Sequence, residues 1–151
     1  MIKKIFYLPV LVISIIIGIN LKMSDAKDNT FLTEELNTNS NAYNKINDKV
    51  SNLIKENGVF LLQTGEDRVT YLIFDSSHMS LNNEASNFSD VKIENNHNSI
   101  IINFSEELKN YTEGEYPEHR LIYKIIKDKD TEYIKVFKNG EETHFDSVII
   151  N

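Results

Sequence analysis

Glu142, His144 and Asp146 alternate near the C-terminus, so a single strand would place all three side chains on one face. An imidazole between two carboxylates could hold a metal or act as an acid–base pair. The same alternation arises on the solvated face of any polar strand, and that plainer reading ranks first. The other histidines are His78, His97 and His119. None of the four stands in a His-x-His or His-x-x-x-His spacing.

Carboxylates cluster at Glu106-Glu107 and at Glu113-x-Glu115-x-x-Glu118. Glycosidases need two carboxylates set a defined distance apart in space, which spacing along a chain does not establish. Asp128-x-Asp130 lacks the glycine and the distal glutamate of an EF-hand loop. There is no Gly-x-Ser-x-Gly elbow, and the five glycines are too scattered to form a phosphate loop. Cysteine is absent, which rules out thiolate-ligated metals, thiol redox chemistry, a cysteine nucleophile and a thioether-linked lipid. No catalytic residue, cofactor or metal is expected. Asn87-Phe88-Ser89, Asn103-Phe104-Ser105 and Asn110-Tyr111-Thr112 fit the glycosylation pattern, which carries no meaning in a bacterial chain. Tyr111 and Tyr116, beside Pro117, are either an exposed binding surface or a flap folded over a sheet edge.

The segment that would carry these groups to their place of work is at the N-terminus. Lys3 and Lys4 form a basic head, residues 5–19 are almost unbroken apolar, and a polar stretch runs to Ala26. This is the pattern of an export signal. Ser24 and Ala26 supply the small residues that signal peptidase requires, so cleavage is expected after Ala26. The alternative is an uncleaved anchor. Residues 5–21 would reach about 25 Å as a helix, short of a hydrocarbon core of about 30 Å. Either way, the remainder is expected to be secreted or held at the cell surface. Removing residues 1–26 leaves 13 basic and 22 acidic side chains, a net charge of −9. Such a chain gains nothing from counterion release on nucleic acid and is repelled by anionic lipid. Membrane contact is expected only through the N-terminal segment, if it is uncleaved.

Residues 27–39 read as a polar leader with some helix, and residues 40–151 as one globular domain. Ala42, Ile46, Val50, Leu53 and Ile54 recur at helical spacing, Ser40 can cap the start, and Asn57-Gly58 can supply the stop. The spacing predicts an amphipathic helix over 41–56. The period then changes to two. Strands are expected at 59–63, 69–75, 91–94, 99–104, 119–126, 133–138 and 144–150. Residues 69–75 are apolar on both faces, which marks a central strand. Asn139-Gly140 between alternating runs predicts a type I′ hairpin. The fold class is therefore α+β: an N-terminal amphipathic helix on a twisted, mostly antiparallel sheet of about seven strands, open or partly closed.

Residues 59–66, Val-Phe-Leu-Leu-Gln-Thr-Gly-Glu, and residues 134–148, from Ile134 to Val148, resemble small exported proteins of low-GC Gram-positive bacteria, whose roles are mostly unassigned. The strand–Thr-Gly-Glu–strand opening also resembles domains that stabilise secreted protease complexes. Those domains carry a Gly-Gly-Tyr where this chain has Arg68-Val69-Thr70-Tyr71, and no residue roles are transferred. The resulting expectation is an exported, non-catalytic binding or accessory protein whose partner is a protein or small ligand outside the cytoplasm. The alternatives are a small exported enzyme without metal or strong nucleophile, such as a prolyl isomerase-like folding helper, and a small-ligand carrier.

Overall fold

The computed structural model describes residues 31–112, 114, 115 and 120–150. The expected signal segment, with Ser24 and Ala26, lies outside the described residues, as do Glu113, Tyr116, Pro117, Glu118 and His119.

One helix and nine strands are present among the described residues. The strands are β1 (Leu32–Glu35), β2 (Gly58–Gln63), β3 (Val69–Asp75), β4 (Glu84–Asn96), β5 (Ser99–Asn110), β6 (Arg120–Ile126), β7 (Tyr133–Lys138), β8 (Glu141–Thr143) and β9 (Ser147–Ile150). The helix, α1, spans Asn41–Val50. The α+β description holds broadly, with two mixed sheets in place of the single sheet expected. The first sheet runs β1-β6-β3-β2-β9 and the second β4-β5-β7-β8. The chain moves between them: β6 joins the first sheet, β7 and β8 return to the second, and β9 goes back to the first. Each return leaves one parallel pair, β5 with β7 and β2 with β9, in otherwise antiparallel ladders.

Strand alternation divides the core into two layers. On one face of the first sheet, Phe60, Leu62, Tyr71, Ile73 and Ile122 pack with Tyr43, Ile46 and Val50 of α1. On the other face, Val59, Leu72, Phe74 and Ile125 meet Phe88, Ile100, Ile102, Phe104 and Val136 of the second sheet. Phe74 is fully buried there, with its ring 5.3 Å from Phe88 and 5.1 Å from Phe104. Strand β3 is central and apolar on both faces because each face fills a different layer.

Several elements differ from the sequence reading, four of them for a local reason. Residues 32–35, assigned to a partly helical leader, form β1, paired in register with β6 from Leu32↔Ile126 to Glu35↔Tyr123. The helix stops at Val50 instead of running to residue 56. Ser51 Oγ donates to the Asn47 carbonyl at 2.6 Å, and Leu53 and Ile54 N–H both turn back to the Val50 carbonyl. That tightened turn ends the helix and leaves Leu53, expected on the buried face, 56% exposed. The polar loop expected over 76–88 gives way to β4 at Glu84. A bulge between Ser89 and Lys92 shifts the pleat, so Phe88 and Val91, three residues apart, both pack on the inter-sheet core. Finally, the strand expected over 144–150 is broken. Only Glu141–Thr143 pairs with β7, and after residues 144–146 cross over, β9 runs parallel to β2. The Asn139-Gly140 turn is as expected, with φ of 52° and 86°.

Candidate functional site

The break at 144–146 takes the C-terminal trio off a single strand. Glu142 is exposed on β8, opposite Phe137. Asp146 belongs to the crossover. Its Oδ2 accepts the Val59 N–H at 2.7 Å, and its own N–H donates to the Val59 carbonyl at 2.9 Å. The carboxylate lies directly over Gly58, where a built Cβ would come within 2.5 Å of Oδ2. Asp146 therefore continues the β2–β9 ladder by one residue. His144 and Asp146 both line a small cleft of about 130 Å³ with Glu106 and Lys138. Lys138 Nζ pairs with Glu106 Oε2 at 2.9 Å, and that hydrogen bond, more than the charge of Asp146, holds the ammonium above its ordinary pKa. Among the described residues no cluster of three or more His, Asp or Glu is arranged to hold a metal.

The remaining described sequence candidates, Glu106 excepted, lie outside that cleft. His97 tips the β4–β5 hairpin at φ 56°. His78 has its backbone clasped by the Asn57 side chain, which donates to its carbonyl at 2.6 Å and accepts its N–H at 2.8 Å. Tyr111 is buried, with Lys109 Nζ 5.3 Å from its ring centroid. Glu106 joins the Lys138 pair and also accepts from Ser86 Oγ at 2.7 Å, while Glu107 accepts from Asn87.

A cleft of about 690 Å³ lies elsewhere. It opens where α1, β1 and the start of β6 converge, and is lined by Glu35, Thr38, Tyr43, Asn47, Ser77, Arg120 and Leu121. Its Arg120 belongs to an ion pair. Asp75, fully buried at the end of β3, stands opposite Arg120 in the β3–β6 ladder, and its Oδ2 accepts from Arg120 Nε. Asp75 Oδ1 accepts from both Ser77 N and Ser77 Oγ. Arg120 Nη1 reaches across to α1, donating to Asn47 Oδ1 at 2.7 Å and Ser51 Oγ at 2.8 Å. Tyr43 OH donates to the Arg120 carbonyl at 3.2 Å, and Tyr123 OH donates to Glu35 Oε2 at 2.8 Å.

Three segments far apart in sequence, residues 43–51, 75–77 and 120, are thus tied together at Arg120. Burial pushes the Tyr43 phenol above its ordinary pKa; nearby Arg120 opposes this and Asp75 adds to it. Burial raises Tyr123 as well, and the Glu35 carboxylate it bonds raises it further. Sequence reasoning missed this site. The one signal available was Arg120 itself, one of only two arginines in a chain that otherwise uses lysine for its basic residues. Arginine's planar fork suits a buried, multiply bonded cation where lysine's point charge does not.

Comparison with models of known families, with curated proteins and with solved structures finds no match.

Proposed function

We propose that this is an exported, non-catalytic binding or accessory protein that recognises its ligand or partner through the Arg120 cleft. Export is inferred from the basic head, the apolar run and the Ser24-x-Ala26 site. The observation that carries the binding reading is the bond network of the cleft. Asn47, Ser77 and Tyr43 are each held by a hydrogen bond to Arg120 or Asp75, an ion pair whose charges cancel, and Glu35 is held by one from Tyr123. Polar groups held in place before a ligand arrives lower the entropy cost of binding it. A cleft of this size also falls within the usual range for ligand sites.

The test is a pull-down from culture-surface extracts with the full chain and with Thr38→Trp, which fills the cleft from an exposed position. A specific component retained by the native chain and lost with Thr38→Trp supports the reading. No retained component, together with turnover of a proline-containing peptide, refutes it in favour of the folding-helper alternative. Mass spectrometry of the protein recovered outside the cell should show a chain beginning at Lys27; a chain beginning at Met1 rejects cleavage after Ala26.

A further inference from the structure

Resting on that reading, we infer that the Arg120 cleft takes a neutral, hydroxyl-rich ligand, a short oligosaccharide segment. The charge balance of the cleft excludes the other classes in turn. An anion would have to be drawn by Arg120, yet that guanidinium is nine-tenths buried and already paired with Asp75, Asn47 and Ser51. Glu35, which also lines the cleft, pairs with no cation among the described residues and repels a second carboxylate or a phosphate. A cation would find only Glu35 among the described lining residues, and a single exposed pair contributes little. An apolar ligand would strip water from Glu35, Thr38, Asn47 and Ser77 without replacing their hydrogen bonds.

A hydroxyl-rich ligand fits the mixed lining. Each of its hydroxyls both donates and accepts: Tyr43 and Ser77, whose own protons are engaged, accept from it, the Asn47 Nδ2 donates to it, and Thr38 can do either. Leu121 supplies an apolar wall for the C–H face of a sugar ring. Asn47, Ser77 and Tyr43 keep their positions through bonds to Arg120 and Asp75, so binding need not order them.

The experiment is ligand-observed saturation-transfer NMR on the full chain. The probes are maltotriose, cellotriose and chitotriose, with citrate as the anion control and spermidine as the cation control. Thr38→Trp blocks the cleft without removing any of the bonds described above. At least one trisaccharide should give transfer signals, weakened about tenfold or more in affinity by Thr38→Trp, with citrate and spermidine silent. Three silent trisaccharides overturn the inference, as do trisaccharide signals that survive Thr38→Trp or a stronger response to citrate or spermidine. If the trisaccharides are silent while the pull-down still loses its component with Thr38→Trp, the ligand class is wrong and the binding function stands.

Discussion

Arg120 and Asp75 show how much one residue pair can carry at the scale of single side chains. Asp75 is fully buried, so its charge is tolerable only beside the guanidinium and the Ser77 donors. Arg120→Met leaves that carboxylate unpaired and should cost about 3–5 kcal/mol. Adding Asp75→Leu should recover most of the loss, because an apolar pair replaces an ionic one with no charge left stranded. Denaturant midpoints of the two variants decide it: a double variant as unstable as Arg120→Met would reject the ion-pair account. Gly58 gives a second case. Its missing side chain makes room for Asp146, so Gly58→Ala should destabilise by roughly 1–3 kcal/mol through overpacking. Combining it with Asp146→Ala removes the atom in the way, so the two losses should sum to less than their separate effects. Strict additivity in that double-mutant cycle would show that the contact does not matter.

Legibility changes at the scale of elements. Features set by adjacent residues could be read from the sequence. Ser40 caps α1 with its Oγ accepting the Tyr43 N–H at 3.1 Å, and Asn139-Gly140 makes its turn. The capping bond carries a prediction: Ser40→Ala should lower stability by about 1 kcal/mol, seen as a drop in Tm, with the fold otherwise retained. An unchanged Tm would mean that packing of Tyr43, Ile46 and Val50 alone fixes where the helix starts. Features set by distant partners could not be read. All four residues of β1 are exposed, so no apolar alternation marks it, and it exists through its ladder with β6. The parallel pairs join segments more than 30 residues apart, and no local pattern encodes such a register. In β4 the bulge interrupts the alternation by which strands are recognised. The Arg120 cleft was hidden for the same reason. Its lining comes from residues 35–47, 77 and 120–121, and each stretch taken alone reads as an ordinary polar surface. Glu142, His144 and Asp146 show the converse: the spacing is present, but the single strand expected to align them is broken at residues 144–146.

At the scale of the whole molecule, the three layers depend on phenols that must stay neutral. Tyr43 and Tyr71 belong to the core between α1 and the first sheet, and Tyr123 packs against the core between the sheets. Burial raises all three above the ordinary tyrosine value of 10.0. Glu35 reinforces the shift at Tyr123, as Glu66 does at Tyr71 and Asp75 at Tyr43. In the unfolded chain these phenols ionise near the ordinary value. The folded chain holds its protons to higher pH, so between the two the unfolded state binds fewer protons. Stability should therefore be insensitive to these groups through neutral pH and should fall as pH rises beyond about 10. Loss of lysine charge in the same range adds self-repulsion in an acidic protein, which makes the slope of the native chain an inadequate test by itself. The discriminating comparison is with Tyr43→Phe combined with Tyr123→Phe. The double variant keeps both rings in place and removes two of the three titrating hydroxyls. Its urea midpoint should start lower at neutral pH, since the bonds to the Arg120 carbonyl and to Glu35 are gone. It should then fall less steeply than that of the native chain between about pH 9 and about pH 11.5. Parallel slopes would assign the alkaline loss to lysine deprotonation and remove the phenols from the account.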